Sequence, residues 1–152
     1  MNKLGTKTKS AVIYKHESHK LHQAFSVKEG EEILAGNPVK LETDGTISNY
    51  AGTGVYLGIA ITPSDANMYP PNSLGKGITV AVQGYMITRG LASEAITETG
   101  YVSPVANHAT ESYYTYAPAG DDGEVPPVAI ETKFIALNPA AAGDFVDILC
   151  LN

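Results

Sequence analysis

Three histidines recur at every third position, His16, His19 and His22, and imidazole is a common ligand for zinc and copper. Their spacing opposes a shared metal. On a helix the first and third point about 240° apart, and on a strand the middle one faces the opposite side. They read as part of a solvated basic tail, and no metal is expected. Asp121, Asp122 and Glu124 in "GDDGE" carry the oxygen ligands calcium takes, but without the residue order or distal bidentate Glu of an EF-hand. They read as an acidic hairpin tip. The glycines of "GKGITVAVQGYMITRG" invite a phosphate cradle, yet such loops open a helix, and here a strand follows. The structural reading is bulges or corners, and no cofactor is expected. His108 in "ANHATES" has no evident partner, and no Gly-x-Ser-x-Gly elbow exists. Cys150 sits in the apolar run "FVDILCL", where a thiol behaves as a small hydrophobe. These residues do not read as an enzyme.

The elements that would position these residues are short strands. The chain has 152 residues, about one domain, and its 15 Gly, 9 Pro and 9 Tyr at 43% hydrophobic content suit a turn-rich β protein rather than a disordered one. No run of about 18 apolar residues or signal-peptide stretch occurs, so a protein made and kept in a cytoplasm, without a membrane partner, is expected. The net charge of −6 is unevenly spread. Residues 1–25 hold Lys3, Lys7, Lys9, Lys15 and Lys20 against Glu17 alone, and read as an extended basic arm suited to an acidic partner surface. The remaining chain is acidic, which argues against nucleic-acid binding.

From Ser26 onward, apolar runs are punctuated by turn residues every eight to twelve positions or so, the pattern of an all-β domain. "SVKEGEEILAG" places a Gly30 turn between short strands, and "NPVKLETDGTISNY" reads as a hairpin turning at Asp44-Gly45. "GVYLGIAI" reads as a central strand, residues 62–76 as a long surface loop, and "GITVAVQGYMITRG" as one strand. "LASEAITE" reads as the one credible helix, of barely two turns, or equally as a loop. "GYVSPV", "ESYYTYAPA", "VAIETKFIAL" and "GDFVDILCL" are further strands, and no internal repeat is evident. The predicted fold is a small β-barrel or sandwich of about eight or nine strands, residues 26–152, preceded by the arm. Tyr114 and Tyr116 fall on one strand face with Tyr113 opposite, which fits either an interface or an ordinary half-buried strand. Arg89 is the chain's single arginine, and its fork suits either a carboxylate at an interface or open water.

From Ser26 to the end, the chain resembles small tailed-phage capsid decoration, or cement, proteins. The resemblance runs through "VKEGEEILAGNPVKLETDGTI", "VYLGIAI", "GITVAVQGYM" and the closing "FIALNPAAAGDFVDILCL". It implies a structural virion protein on the capsid exterior, made in the host bacterial cytoplasm, which bridges neighbouring major capsid protein subunits without catalysis. It also implies possible self-association as a trimer and contact with a head-fibre protein. The candidate contacts are then Lys3, Lys7, Lys9, Tyr14, Lys15, Lys20 and Phe25 of the arm, Tyr69 of the long loop, Arg89, and Tyr113, Tyr114 and Tyr116. The basic arm, the 62–76 loop and the tyrosine-rich 107–127 region depart from the simplest family members. The alternative is a head-fibre base or adhesin gripping another fibre protein or a host glycan.

Overall fold

The computed structural model describes residues 13–16, 22–64, 77–82, 85–120, 123 and 131–151, with backbone alone for 13–16 and Gly77. Among these the protein is all β, with eleven strands and no helix. They are β1 (Ile13–His16), β2 (His22–Ser26), β3 (Pro38–Leu41), β4 (Ile47–Asn49), β5 (Val55–Ala60) and β6 (Gly77–Ala81), then β7 (Tyr85–Ala92), β8 (Gly100–Asn107), β9 (Tyr114–Pro118), β10 (Phe134–Ala136) and β11 (Phe145–Leu151). The expected small all-β barrel architecture is present, with more and shorter strands.

The strands form two rolls with one wiring. In the first the order is β2-β6-β5-β3-β4, and a parallel bridge from Val27 to Ile47 brings the two ends together. In the second the order is β7-β11-β10-β8-β9, and a parallel β7–β9 pairing closes a five-stranded barrel, with β1 lying antiparallel along β7. Numbered along the chain, each roll reads first, fifth, fourth, second, third, with the third strand returning parallel to the first.

The correspondence holds to the residue. Ile59 and Ala60 pair with Ala81 and Val80 as Ile135 and Ala136 pair with Leu149 and Ile148. The Thr79 N–H donates to Thr62 Oγ1 at 2.9 Å, and the Asp147 N–H donates to Asn138 Oδ1 at 2.9 Å. The Ile61 N–H donates to the Thr79 carbonyl as the Leu137 N–H donates to that of Asp147. The Lys28 N–H reaches Ile47 as the Ser93 N–H reaches Tyr116, and Ser64 bonds Ile33 as Ala140 bonds Ile96. At equivalent places stand "IAITPS" (59–64) and "IALNPA" (135–140). The chain is thus a tandem repeat of one five-stranded unit, which corrects the reading that it has no internal repeat.

Each roll is built from local rules. The β3–β4 hairpin turns where Gly45 adopts φ +82°, a left-handed conformation that favours glycine, while Asp44 Oδ1 accepts from both the N–H and hydroxyl of Thr46. Strand β11 alternates half-buried and buried positions along its length, as a barrel strand with one face inward must. The first roll encloses Ile33, Val39, Ile47, Ala60, Ile78 and Val80. The second encloses Val102, Tyr116, Phe134, Val146 and Ile148, and this core continues into Tyr50, Ile59 and Ala81 of the first. The two rolls therefore share one packed junction.

Three expectations change. The stretch 77–90 is two strands: β6 ends the first roll and β7 opens the second, the chain crossing between sheets near Val82, while Gly84 lies outside the described residues. Of the two readings of 91–98, short helix or loop, the helix does not form. Leu91 and Ala92 finish β7 against Thr115 and Tyr116, and Ile96 exchanges two backbone hydrogen bonds with Ala140 at 2.8 and 2.9 Å. A two-turn helix is too weak to compete with those tertiary partners. The described parts of residues 1–25 are strand, and β2 enters the first sheet before Phe25, which packs partly against that roll's core.

Candidate binding groove at the junction of the rolls

An open groove of about 390 Å³ runs where the rolls meet. Gly30, Glu31, Glu32, Asn49 and Ala51 line it from the first roll, and Val105, Ala106, Asn107 and Tyr114 from the second. Asparagines organise it. Asn37, wholly buried, donates one amide hydrogen within its own roll to Asn49 Oδ1 and the other across the junction to Asn107 Oδ1, each at 2.7 Å. Asn49 Nδ2 in turn donates to Glu31 Oε2 at 3.0 Å and the Glu32 carbonyl at 2.9 Å, while Asn107 Nδ2 donates to the same carbonyl at 2.8 Å. Asn37 Oδ1 is buried without a partner among the described residues. Its amide thus couples the rolls at the cost of one unsatisfied carbonyl. The groove's chemistry is acidic and acceptor-rich, suited to a cationic or amide-bearing group from a partner.

The tyrosines expected as partner contacts are instead core residues. Tyr113, Tyr114 and Tyr116 are all buried, a correction to their placement at a partner surface. The expected two-faced arrangement holds: Tyr114 and Tyr116 meet edge to face at 5.9 Å between centroids, and Tyr113 packs on Phe145 on the other side. They are buried because β9 closes the barrel, a long-range pairing that no local pattern encodes. Tyr114 also ties the rolls together, donating its hydroxyl to the Tyr50 carbonyl at 2.9 Å. Burial, and then the Glu31 charge, raise its pKa.

Arg89 has its carboxylate within the chain. Its Nε lies 2.9 Å from Asp147 Oδ1 and its Nη2 3.4 Å from Oδ2, across the directly paired positions of β7 and β11, and its guanidinium stands 5.4 Å from the Phe145 ring centroid. Phe25 is half-buried on β2. Tyr14 and Lys15 lie in β1, where the backbone alone is described. Lys3, Lys7, Lys9, Lys20, Tyr69, His19 and the acids Asp121, Asp122 and Glu124 lie outside the described residues.

Three other reactive groups among the described residues, His108, Glu131 and Cys150, are engaged in structure. His108 Nδ1 accepts from the backbone N–H groups of Thr110 and Glu111, at 3.3 and 3.1 Å, which fixes a loop turn. Glu131 is buried, accepting from the Tyr50 hydroxyl at 2.8 Å and the Lys133 N–H at 2.8 Å. Burial, then the hydrogen bond and charge of Glu131, push Tyr50 up to about 12. Burial pushes the Cys150 thiol up to about 12, partly opposed by the Thr88 hydroxyl. Among the described residues no three His, Cys, Asp or Glu side chains converge as metal ligands. The Glu31–Asn49–Asn37–Asn107 lattice was missed from sequence. Its members come from three separate segments, the β2–β3 connection and the ends of β4 and β8, and only the wiring of the rolls assembles them.

No protein-family model matches the chain, and no match to a curated protein was found.

Proposed function

We propose that the chain is a structural binding protein that docks on the exterior of a phage capsid and cements neighbouring major capsid protein subunits, without catalysis. The observation that carries this reading is the duplication. Two like rolls joined through a shared core give one rigid body with two related halves, suited to spanning adjacent copies of a repeating surface. Each contact can be modest, because a lattice repeats it and binding to the assembled shell stabilises that state by mass action. The groove at the junction supplies an acidic, amide-lined seat for basic or amide groups of a shell subunit. The engagement of His108, Glu131, Cys150 and Arg89 in loop, core and cross-strand contacts supports a role by adhesion.

The test is co-sedimentation of the purified full chain with assembled shells that lack it. Saturable binding, weakened when Glu31 and Glu32 are both changed to Lys, is the expected outcome. Shells that pellet without the protein at any input would overturn the reading.

A further inference from the structure

The second roll covers the outer face of the first. Ala60 and Val80 point into the first roll's own core, so their neighbours Ile59 and Ala81 point out of it. Both are nonetheless 0% exposed, packed with Met86, Phe134 and Cys150 of the second roll. Pro38, the partner of Ile59 on β3, is buried as well.

Register assigns the counterparts of Pro38, Ile59 and Ala81 on the second roll. They are Tyr101, Ile135 and Leu149, which stand side by side across β8, β10 and β11, and the row continues to Ile87 on β7. Here the face is only partly covered. Tyr101 is 45% exposed, and Ile135, Leu149 and Ile87 are half-buried. Leu137, counterpart of Ile61, is 43% exposed. A sheet face turned to water ordinarily alternates to polar residues. This one presents an unbroken apolar row across four strands, the mark of a surface that something covers.

We infer that this row is a docking surface for a second copy of the chain. The occupant follows from the duplication: on the first roll the equivalent face is covered by a roll of the same wiring, and a second copy of the chain supplies such a roll. The row's apolar centre also matches contacts between copies, which are more apolar than those between transient partners. As inside the chain, where Ile59 and Ala81 of the first roll pack with Met86, Phe134 and Cys150 and not with the second roll's own row, the contact joins unlike surfaces of the two copies, head to tail. The inference stands independently of the capsid reading.

Light scattering of the purified full chain between about 1 and 100 µM tests it. The expected result is a mass that is a multiple of one chain. Leu149→Asp and, separately, Tyr101→Lys return it to the single-chain mass, with circular dichroism unchanged and melting within a few degrees of the parent. Tyr101 is exposed enough that its variant folds even where Leu149→Asp does not. A single-chain mass for the parent throughout the range overturns the inference, whatever else the row is then found to bind. So does a folded Tyr101→Lys variant that stays associated.

Discussion

At the residue scale, several titratable side chains among the described residues act as structural ties. The Arg89–Asp147 pair joins β7 to β11 at a half-exposed position, so its contribution is modest. Arg89→Ala is expected to lower stability by about 0.5–1 kcal/mol in urea denaturation, with the difference shrinking as salt is added. Tyr50 and Glu131 are another matter, because both are buried. Tyr50→Phe removes the hydroxyl that Glu131 accepts from and should cost roughly 1–3 kcal/mol by the same assay. Alkali acts in a defined direction. The Cys150 thiol titrates near 12 in the fold against an ordinary 9.0, so the unfolded chain gives up its proton first. Its contribution is therefore whole below pH 9 and is lost as pH rises toward 12, and Tyr50, raised from 10.0 to about 12, adds to the same loss. A melting series from pH 8 to 12 should show this decline, and Cys150 should resist thiol reagents at pH 8 until the protein unfolds. Glu42 has the opposite sign. The Ser48 hydroxyl leads in holding its pKa below 4.5, so its contribution is present above that pH and fades as acid protonates it.

At the scale of elements, what could be read locally was read. The Asp44-Gly45 hairpin, the strand at 55–60, the alternating faces of 113–116 and the closing strand 145–151 all follow from turn residues and period-two patterns. What failed depended on distant partners. Leu91 and Ala92 are drawn into β7 and Ile96 onto Ala140, and nothing within "LASEAITE" announces either partner. The duplication was hidden because the connections between equivalent strands differ in length, leaving only "IAITPS" and "IALNPA" alike. The groove was illegible for the same reason, since Asn37, Asn49 and Asn107 meet only once both rolls are wired. Two glycines are committed to this wiring. A Cβ at Gly58 would stand 2.1 Å from the Ala81 carbonyl oxygen, and one at Gly90 would stand 2.6 Å from the Tyr116 ring and 2.8 Å from the Tyr114 carbonyl. Neither backbone can withdraw without breaking strand pairing. Gly58→Ala and Gly90→Ala are each expected to cost more than about 3 kcal/mol or to prevent folding, read by soluble yield and circular dichroism.

At the scale of the whole molecule, two rolls of one wiring share a junction in which Tyr50 and Tyr56 of the first pack on Phe134 of the second. Neither half keeps its full core alone, so thermal unfolding should be a single cooperative transition, with calorimetric and van't Hoff enthalpies in agreement. Two separated transitions would show the rolls to be independent. Rigidity of this kind matters to the proposed role, because a cement that bends at its middle transmits little force between the subunits it bridges. The measurement that bears most directly on that role is the temperature at which capsid shells break apart, recorded at increasing occupancy by the full chain. The account predicts that the disruption temperature rises with occupancy and levels off when the shell is saturated. Saturated shells that break at the same temperature as bare ones would contradict it.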